Sequence, residues 1–376
     1  MATKSSLEDK ALRKKKDNGN EAVSSYNGTM QEIADRCGLS KVTVSRAFTA
    51  PHLVRQETRD RVLAAAREIG YTYNALAATL GRATRPFLGI IASHHNDSQF
   101  QSVMRSVHAT ATEMGLEALL SVTELDQEKE HDLIKRYFEY RAAAIVVFGS
   151  TRWLASNVAR IYPRPTCPIL VIGEKVDSED INCIGIDIES ATFSLVEYLY
   201  GLGHRNIALV CGPHLVSSRS YARLQGYTRG LEHFSLLPGE DYVYATRSGM
   251  ANTRGDLIDE GRNAVIQFLS RTPRPSAIIF PSDQHALGGL LALQRENISV
   301  PEDISIVSMS ENKFGSWIHP ALTTLRLPTQ GMADLAKQFL KSAVDETVHH
   351  TRQCLPTELI ERDSAAPPSS IKKRTA

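Results

Sequence analysis

Two regimes of hydrophobic spacing divide the chain. Between residues 29 and 70 apolar positions recur at helical intervals. Ile33, Ala34 and Cys37 share one face of a first helix, and Thr29 with Glu32 fits a capping box at its start. Gly38 stops that helix. Ser40 is a good N-cap for a second helix over 41–48, with Val44 and Ala47 turned inward. Pro51 breaks the chain, and a third helix over 56–69 buries Val62, Ala65, Ala66 and Ile69, although Arg55 is a poor residue for its cap position. From Phe87 onward the period changes. Short β-branched runs near 88–92, 118–122, 144–148, 169–172, 183–186, 207–211, 277–280, 304–309 and 322–325 alternate with amphipathic stretches such as 99–114, 190–202, 217–234, 255–269, 284–296 and 330–344. That alternation predicts parallel, doubly wound sheets with helices on both faces. Roughly 275 residues is too much for one such sheet, so two α/β subdomains with a cleft between them are expected.

The remaining segments are polar. Residues 1–28 and 364–376 read as disordered tails, and the second lacks the leucine heptads of an oligomerisation coil. The connector 71–86 contains Asn74-Ala-Leu-Ala-Ala-Thr-Leu80, which suits a helix but is too short to hold one alone in water. A net charge of +1 hides an uneven distribution: the first 86 residues carry +6 and the rest −5. A basic head on an acidic body fits a polyanionic partner. The cysteines are scattered without CxxC or zinc spacing, as free thiols in a reducing compartment would be. Neither a signal-peptide core nor a run of ~18 apolar residues is present, so a cytoplasmic, nucleoid-associated protein with no membrane partner is expected. GxSxG, GxxxxGK[ST], GxGxxG and HExxH are all missing, and His94-His95 and His349-His350 lack metal partners. No enzyme, cofactor or metal is expected.

The head carries recognisable chemistry. Two helices joined at Gly38, the second beginning Ser40-Lys-Val-Thr-Val-Ser-Arg46, match a helix-turn-helix whose second helix enters the major groove of DNA. Arg46 can bond guanine O6 and N7 together, and Lys41 can bond a base or a phosphate. Val42 offers an apolar contact to a thymine methyl, while Ser40, Thr43 and Ser45 are short donors suited to phosphates.

The stretch Thr29-Met-Gln-Glu-Ile-Ala-Asp-Arg-Cys-Gly-Leu-Ser-Lys-Val-Thr-Val-Ser-Arg46 resembles the opening of the lactose-repressor (LacI/GalR) family, and so does Thr58-Arg-Asp-Arg-Val-Leu-Ala-Ala-Ala-Arg-Glu-Ile-Gly-Tyr71 followed by Asn74-Ala-Leu-Ala. Further blocks in the family's order are Phe87-Leu-Gly-Ile-Ile, Gly203-His-Arg-Asn-Ile-Ala-Leu-Val, Arg223-Leu-Gln-Gly-Tyr, Ser282-Asp-Gln-His-Ala-Leu-Gly, Val300-Pro-Glu-Asp-Ile-Ser-Ile-Val and Pro320-Ala-Leu-Thr-Thr-Leu. The resemblance spans about 29–363. It implies an all-α helix-turn-helix head (29–73), a hinge helix (74–86) and an α/β core like the periplasmic binding proteins (87–363). The two doubly wound parallel-sheet subdomains of that core would be 87–186 with 327–355, and 187–326 with 356–363. It further implies a transcriptional regulator, more readily a repressor than an activator, that binds a palindromic double-stranded operator as a homodimer under the control of a small-molecule effector, a carbohydrate or related acid. The DNA-binding residues it implies are Met30, Ser40, Lys41, Val42, Thr43, Ser45, Arg46, Thr49 and Thr58 in the head, with Asn74, Ala77 and Leu80 in the hinge, where Leu80 would wedge into the minor groove. The competing reading is a ligand-binding component of a transport or chemosensing system, which the body alone would fit and the helix-turn-helix opposes.

Ligands in such folds bind beyond the carboxyl ends of the strands. The effector-binding residues implied there are His95, Phe100, Arg223, Asp283 and Ser310. The chain departs from the family at this site. Where many members have Gly-aromatic-Asp after the strand near 304, it has Ser308-Met309-Ser310 and then Glu311; Gly173-Glu174 stands where an Asp is common, and Leu327 replaces a polar residue. These losses speak against a plain neutral-sugar pocket and for an anionic ligand such as a sugar acid or sugar phosphate, with Arg223, Lys175 or the histidines as partners.

Overall fold

The capping box at Thr29 forms, and it sets the geometry of the head. Thr29 Oγ1 accepts from the Glu32 amide at 3.2 Å while Glu32 Oε2 accepts from the Thr29 amide at 2.7 Å, starting α1 (Met30–Cys37). Gly38 closes it in the left-handed region at φ 62°, a conformation that glycine adopts without a Cβ penalty. Ser40 caps α2 (Lys41–Thr49) through its hydroxyl and the Thr43 amide. Arg55 makes no side-chain cap for α3 (Gln56–Glu68). Ile33, Ala34, Cys37, Val44, Ala47, Val62, Ala65 and Ala66 close a small core between the three helices, with Met30 and Ile69 packed partly against it. Arg61 also holds α1 to α3, donating to the Cys37 carbonyl at 2.7 Å.

The protein, here in a computed structural model, is described over residues 28–73, 86–94, 100–163, 165–176, 178–179, 181–236, 242–246, 256–345, 347 and 350–369. Residues 1–27 of the expected tail 1–28 and hinge residues Asn74, Ala77 and Leu80 lie outside the described residues, as does His95. The chain divides into two units, Met1–Thr84 and Arg85–Ala376.

The second unit holds two sheets. The first contains β1 (Phe87–Ala92), β2 (Glu117–Val122), β3 (Ala144–Phe148), β4 (Ile169–Glu174), β5 (Asn182–Ile186) and β11 (Arg352–Cys354), in the order β11-β5-β4-β3-β1-β2 with every pairing parallel. The second contains β6 (Ile207–Val210), β7 (Val243–Tyr244), β8 (Ala277–Phe280), β9 (Ser305–Ser308), β10 (Thr323–Arg326) and β12 (Glu358–Ile360), in the order β12-β10-β9-β8-β6-β7. Only β12 among these runs antiparallel. The central strands β1, β3 and β8 are buried along their whole length, as sheets covered on both faces require. Covering helices are α4 (Gln101–Glu113), α5 (Gln127–Glu139), α6 (Arg152–Ile161) and α11 (Thr329–Val344) on the first lobe, and α7 (Ile188–Gly201), α8 (Ser218–His233), α9 (Leu257–Leu269) and α10 (Asp283–Arg295) on the second. The chain therefore crosses between sheets after β5, after β10 and after β11.

One segment corrects the reading from sequence. Residues 364–376 were expected to be a disordered tail, but 364–369 are pinned to the second lobe. Ser364 is fully buried; its Oγ donates to the Ile306 carbonyl at 2.6 Å and accepts from the Thr323 amide at 2.8 Å. Ala366 bonds Ser305 Oγ and gives its carbonyl to His204 Nε2 at 3.0 Å. The polar composition of the segment hid this role, because those side chains complete backbone pairing at the sheet margin instead of covering a core. Strands β7 and β11, two and three residues long, were also not anticipated.

Candidate nucleic-acid interface and effector cleft

In the head, burial decides what α2 can present. Val44 and Ala47 face the core, so Lys41, Val42 and Arg46 lie on the exposed side, with Val42 58% exposed despite its apolar side chain. An exposed valine flanked by two cations has no role in folding and suits contact with a base edge. Ser40 and Thr43, anticipated as phosphate donors, are engaged with one another at the cap, their hydroxyls 2.9 Å apart. Thr49 returns its hydroxyl to the Ser45 carbonyl at 3.0 Å. Met30 is half-buried against the head core and Thr58 half-exposed on α3.

In the core the site follows from topology. Strand β1 has β2 on one side and β3 on the other, and β6 likewise lies between β7 and β8, so the connections diverge at the carboxyl ends of β1/β3 and of β6/β8. The residues just beyond those ends meet each other. Ser150, after β3, donates its amide (2.9 Å) and hydroxyl (2.6 Å) to Glu174 Oε1 at the end of β4. Ser218, in the first turn of α8 in the other lobe, donates to Glu174 Oε2 at 2.8 Å and lies 3.0 Å from Ser150 Oγ. Thr151 bridges to Ser217, and the Arg152 amide donates to the Val216 carbonyl. Behind this seam a second carboxylate, the fully buried Glu130, accepts from the Thr151 amide at 3.1 Å and from its hydroxyl, and burial pushes its pKa up to about 7. Gly149 at φ 72° keeps the seam narrow: a Cβ there would collide with Arg219 and with Ser93 Oγ. Arg219 reaches across to Ser93 Oγ at 3.3 Å, with its guanidinium 5.2 Å from the ring of the buried Phe100.

Arg223 is buried beneath this seam. Its Nη1 donates to the Cys211 carbonyl at 2.7 Å and its Nε contacts Met309 Sδ at 3.1 Å; burial lowers its pKa to about 10, leaving it charged at neutral pH. Asp283 does not present a free carboxylate to the cleft. Its Oδ1 accepts from Ser308 and Thr324 hydroxyls and its Oδ2 from the Asn312 amide at 2.7 Å, so it ties the loop after β9 to the start of α10. Burial raises its pKa. Ser310 is buried with its Oγ unpartnered among the described residues. Sequence reading missed His285, two positions beyond Asp283. It is buried, its Nδ1 lies 2.8 Å from Ser282 Oγ, and burial together with the Arg223 charge holds its pKa near 3, so the ring is neutral. Its place in the first turn of a helix after a switch-point strand was the available signal. Lys175, anticipated as an anion partner, is paired with Asp187 at 3.5 Å. On one flank of the seam a cavity of about 270 Å³ is lined by residues of both lobes, including Glu174, Lys175, Ser218 and Gln225.

Comparison with known proteins follows the same division. Residues 29–74 match the model of bacterial regulatory proteins of the lacI family, and 196–365 match a periplasmic binding protein-like domain. The HTH-type transcriptional regulator AscG of Escherichia coli K12 is 27% identical over 344 residues, covering 91% of this chain and 99% of its own. The HTH-type transcriptional repressor CytR of the same strain is 29% identical over 301 residues, covering 80% of this chain and 85% of its own. The crystal structure of the lac repressor dimer bound to operator and the anti-inducer ONPF superposes with a TM-score of 0.68 at 24% identity, covering 90% of this chain and 99% of that one, a likeness of fold. Among the described residues no helix is long and apolar enough to cross a membrane. With its helix-turn-helix head and its periplasmic-binding-protein-like core, the chain belongs to the LacI family of bacterial transcription regulators.

Proposed function

We propose that the protein is a sequence-specific repressor that binds a palindromic operator as a homodimer and is switched by a small molecule, a carbohydrate or related acid, held between the two lobes. The observation that carries the DNA half is the exposed Lys41-Val42…Arg46 edge of α2, the only face its buried residues leave free. A head of this size makes few base contacts. Two heads on one palindrome raise affinity through effective concentration, which is the reason to expect a dimer. Repression fits the relatives, one of which is named a repressor, and one neighbour in fold was captured as a dimer on its operator. The polar seam between the lobes, with Arg223, His285 and Ser310 beneath it, supports effector control from the cleft.

The test is selection of random duplex DNA by full-length protein, with and without candidate metabolites. A palindromic consensus whose binding changes with one metabolite is the expected result. No enrichment under any condition overturns the DNA reading and favours a ligand-binding component of transport or chemosensing.

A further inference from the structure

Beyond the strand ends of the second lobe, His214 Nδ1, Gln284 Oε1, His285 Nε2 and Ser310 Oγ are buried side-chain atoms without a hydrogen-bond partner among the described residues. Among them His285 is 6% and Ser310 1% exposed. Buried polar atoms are nearly always satisfied, so such a pair marks a place where something else binds. The two come from neighbouring loops: His285 from the first turn after β8, and Ser310 from the turn after β9, its hydrogen-bonded neighbour. Arg223 connects them. Its Nε contacts Met309, the residue before Ser310, and its charge acts on His285.

The carboxylates around this site are already engaged, and the unpartnered acceptor beside it is the neutral amide oxygen of Gln284. Asp283 is saturated by Ser308, Thr324 and Asn312; Glu174 is held by Ser150 and Ser218; Glu311 is ion-paired to Arg326 and Arg362. A neutral polyol needs such carboxylates to receive its hydroxyl protons. Beside that one neutral acceptor, the site offers a cation and donors: a guanidinium, a serine hydroxyl and, where the Ser282 hydroxyl donates to His285 Nδ1, an imidazole Nε2–H. We propose that the cleft recognises its ligand through an oxyanion, a carboxylate or phosphate group, held by Arg223, His285 and Ser310. Charge-assisted bonds of this kind are short and strong, and a buried cation with two unpartnered polar groups on neighbouring loops suits them. The proposal rests on reading the cleft as the effector site and adds the chemistry of what enters it.

The experiment uses full-length protein without DNA. Thermal unfolding is followed while inorganic phosphate, or in a second series acetate, replaces chloride at constant ionic strength. Phosphate or acetate at roughly tenfold above its dissociation constant raises the melting temperature by about 2–4 °C relative to chloride. The anion with the larger effect distinguishes a phosphate ester from a carboxylic acid as the natural ligand. Ser310→Ala, a substitution that fills no new space, weakens anion binding about tenfold. Nitrogen NMR of the imidazoles, which reads His285 without mutation, shows the Nε2–H tautomer and a shift of that nitrogen on anion binding. The proposal is overturned by no stabilisation over chloride from either anion, by equal anion affinity in Ser310→Ala, or by a proton on Nδ1. These outcomes do not depend on the operator. A protein that selects a palindrome and responds to a neutral metabolite but ignores anions loses this inference and keeps the effector reading.

Discussion

Ser218 of the second lobe donates a hydrogen bond to Glu174 of the first, Oγ to Oε2 at 2.8 Å, and closes the cleft with the chain's own carboxylate. Glu174 is 2% exposed, and its other oxygen takes two bonds from Ser150. It thus joins β4, the loop after β3 and the first turn of α8, where the helix dipole favours a negative charge. Glu174→Ala leaves the Ser150 amide without an acceptor and takes the carboxylate from the Ser150 and Ser218 hydroxyls, which keep only each other at 3.0 Å and the Ser150 carbonyl at 2.9 Å from Ser218 Oγ, at about 1–3 kcal/mol for each donor that stays buried and unpaired. The lobes are expected to part so that water can reach those donors. Small-angle scattering should show a larger radius of gyration for the variant than for wild type in ligand-free buffer; superimposable curves would rule the latch out.

Arg46 and Lys41 lie on the same exposed face of α2 but should act differently on DNA. On the selected operator, Arg46→Ala is expected to cost about 1–3 kcal/mol and to relax the preference at one base pair per half-site. Lys41→Ala, if Lys41 meets a phosphate, weakens binding to all sequences alike and lowers the salt slope by about 1 per head. Affinities measured over a range of salt concentrations separate the two. A Lys41 variant that changes base preference and leaves the slope intact assigns Lys41 to a base instead.

Stability should depend on pH through three buried groups with opposite signs. Burial raises Glu130 from an ordinary value of 4.5 to about 7, so the folded state holds its proton more tightly than the unfolded state; that contribution is complete below pH 4.5 and lost as pH rises through about 7. His204 and His285 are pulled by burial from 6.5 to about 4 and about 3, so theirs is complete above pH 6.5 and lost as pH falls through those values. Glu130→Gln should flatten the fall in melting temperature between about pH 4.5 and 7 and leave the acid side unchanged. Parallel profiles for variant and wild type from pH 4 to 8 would contradict this assignment.

Ser364→Ala tests the ordered end of the chain. The lost hydroxyl strands the Thr323 amide and the Ile306 carbonyl, both in the second sheet. A cost of about 1–3 kcal/mol is expected, read as a lower midpoint in urea with an unchanged slope. A midpoint equal to wild type would return 364–369 to the status of a dispensable tail.

The parts of the molecule legible in sequence are those decided locally. The capping box at Thr29, the stop at Gly38 and the cap at Ser40 act over three or four residues, so their side chains announce them. The long buried strands and amphipathic helices are set by period, which a sequence displays. Strands β7 and β11 have no room for a period. Around the cleft, the sequence points to Phe100 through its place at a helix start after the first strand and to Arg223 and Ser310 through the order of family blocks, while the partners of these side chains leave no such trace. Asp283 was read as a ligand contact because its loop position is right, yet its bonds go to Ser308 and Thr324, 25 and 41 residues away, and to the Asn312 amide. His285 went unnoticed because one helix-start histidine carries no pattern of its own.

By itself the sequence determined a three-helix head whose buried Val44 and Ala47 force Lys41, Val42 and Arg46 outward, and an α/β body whose strands and helices alternate. Those outcomes need only backbone period, caps and burial of apolar faces. Tertiary structure alone decided that Glu174 closes the cleft on Ser218, that Asp283 is used internally, that His285 Nε2 and Ser310 Oγ are left over, and that Ser364 completes the second sheet. Each depends on which strand ends come to face one another. Hydrogen bonds between groups tens of residues apart leave no local trace, because any polar side chain of similar reach could have occupied either end.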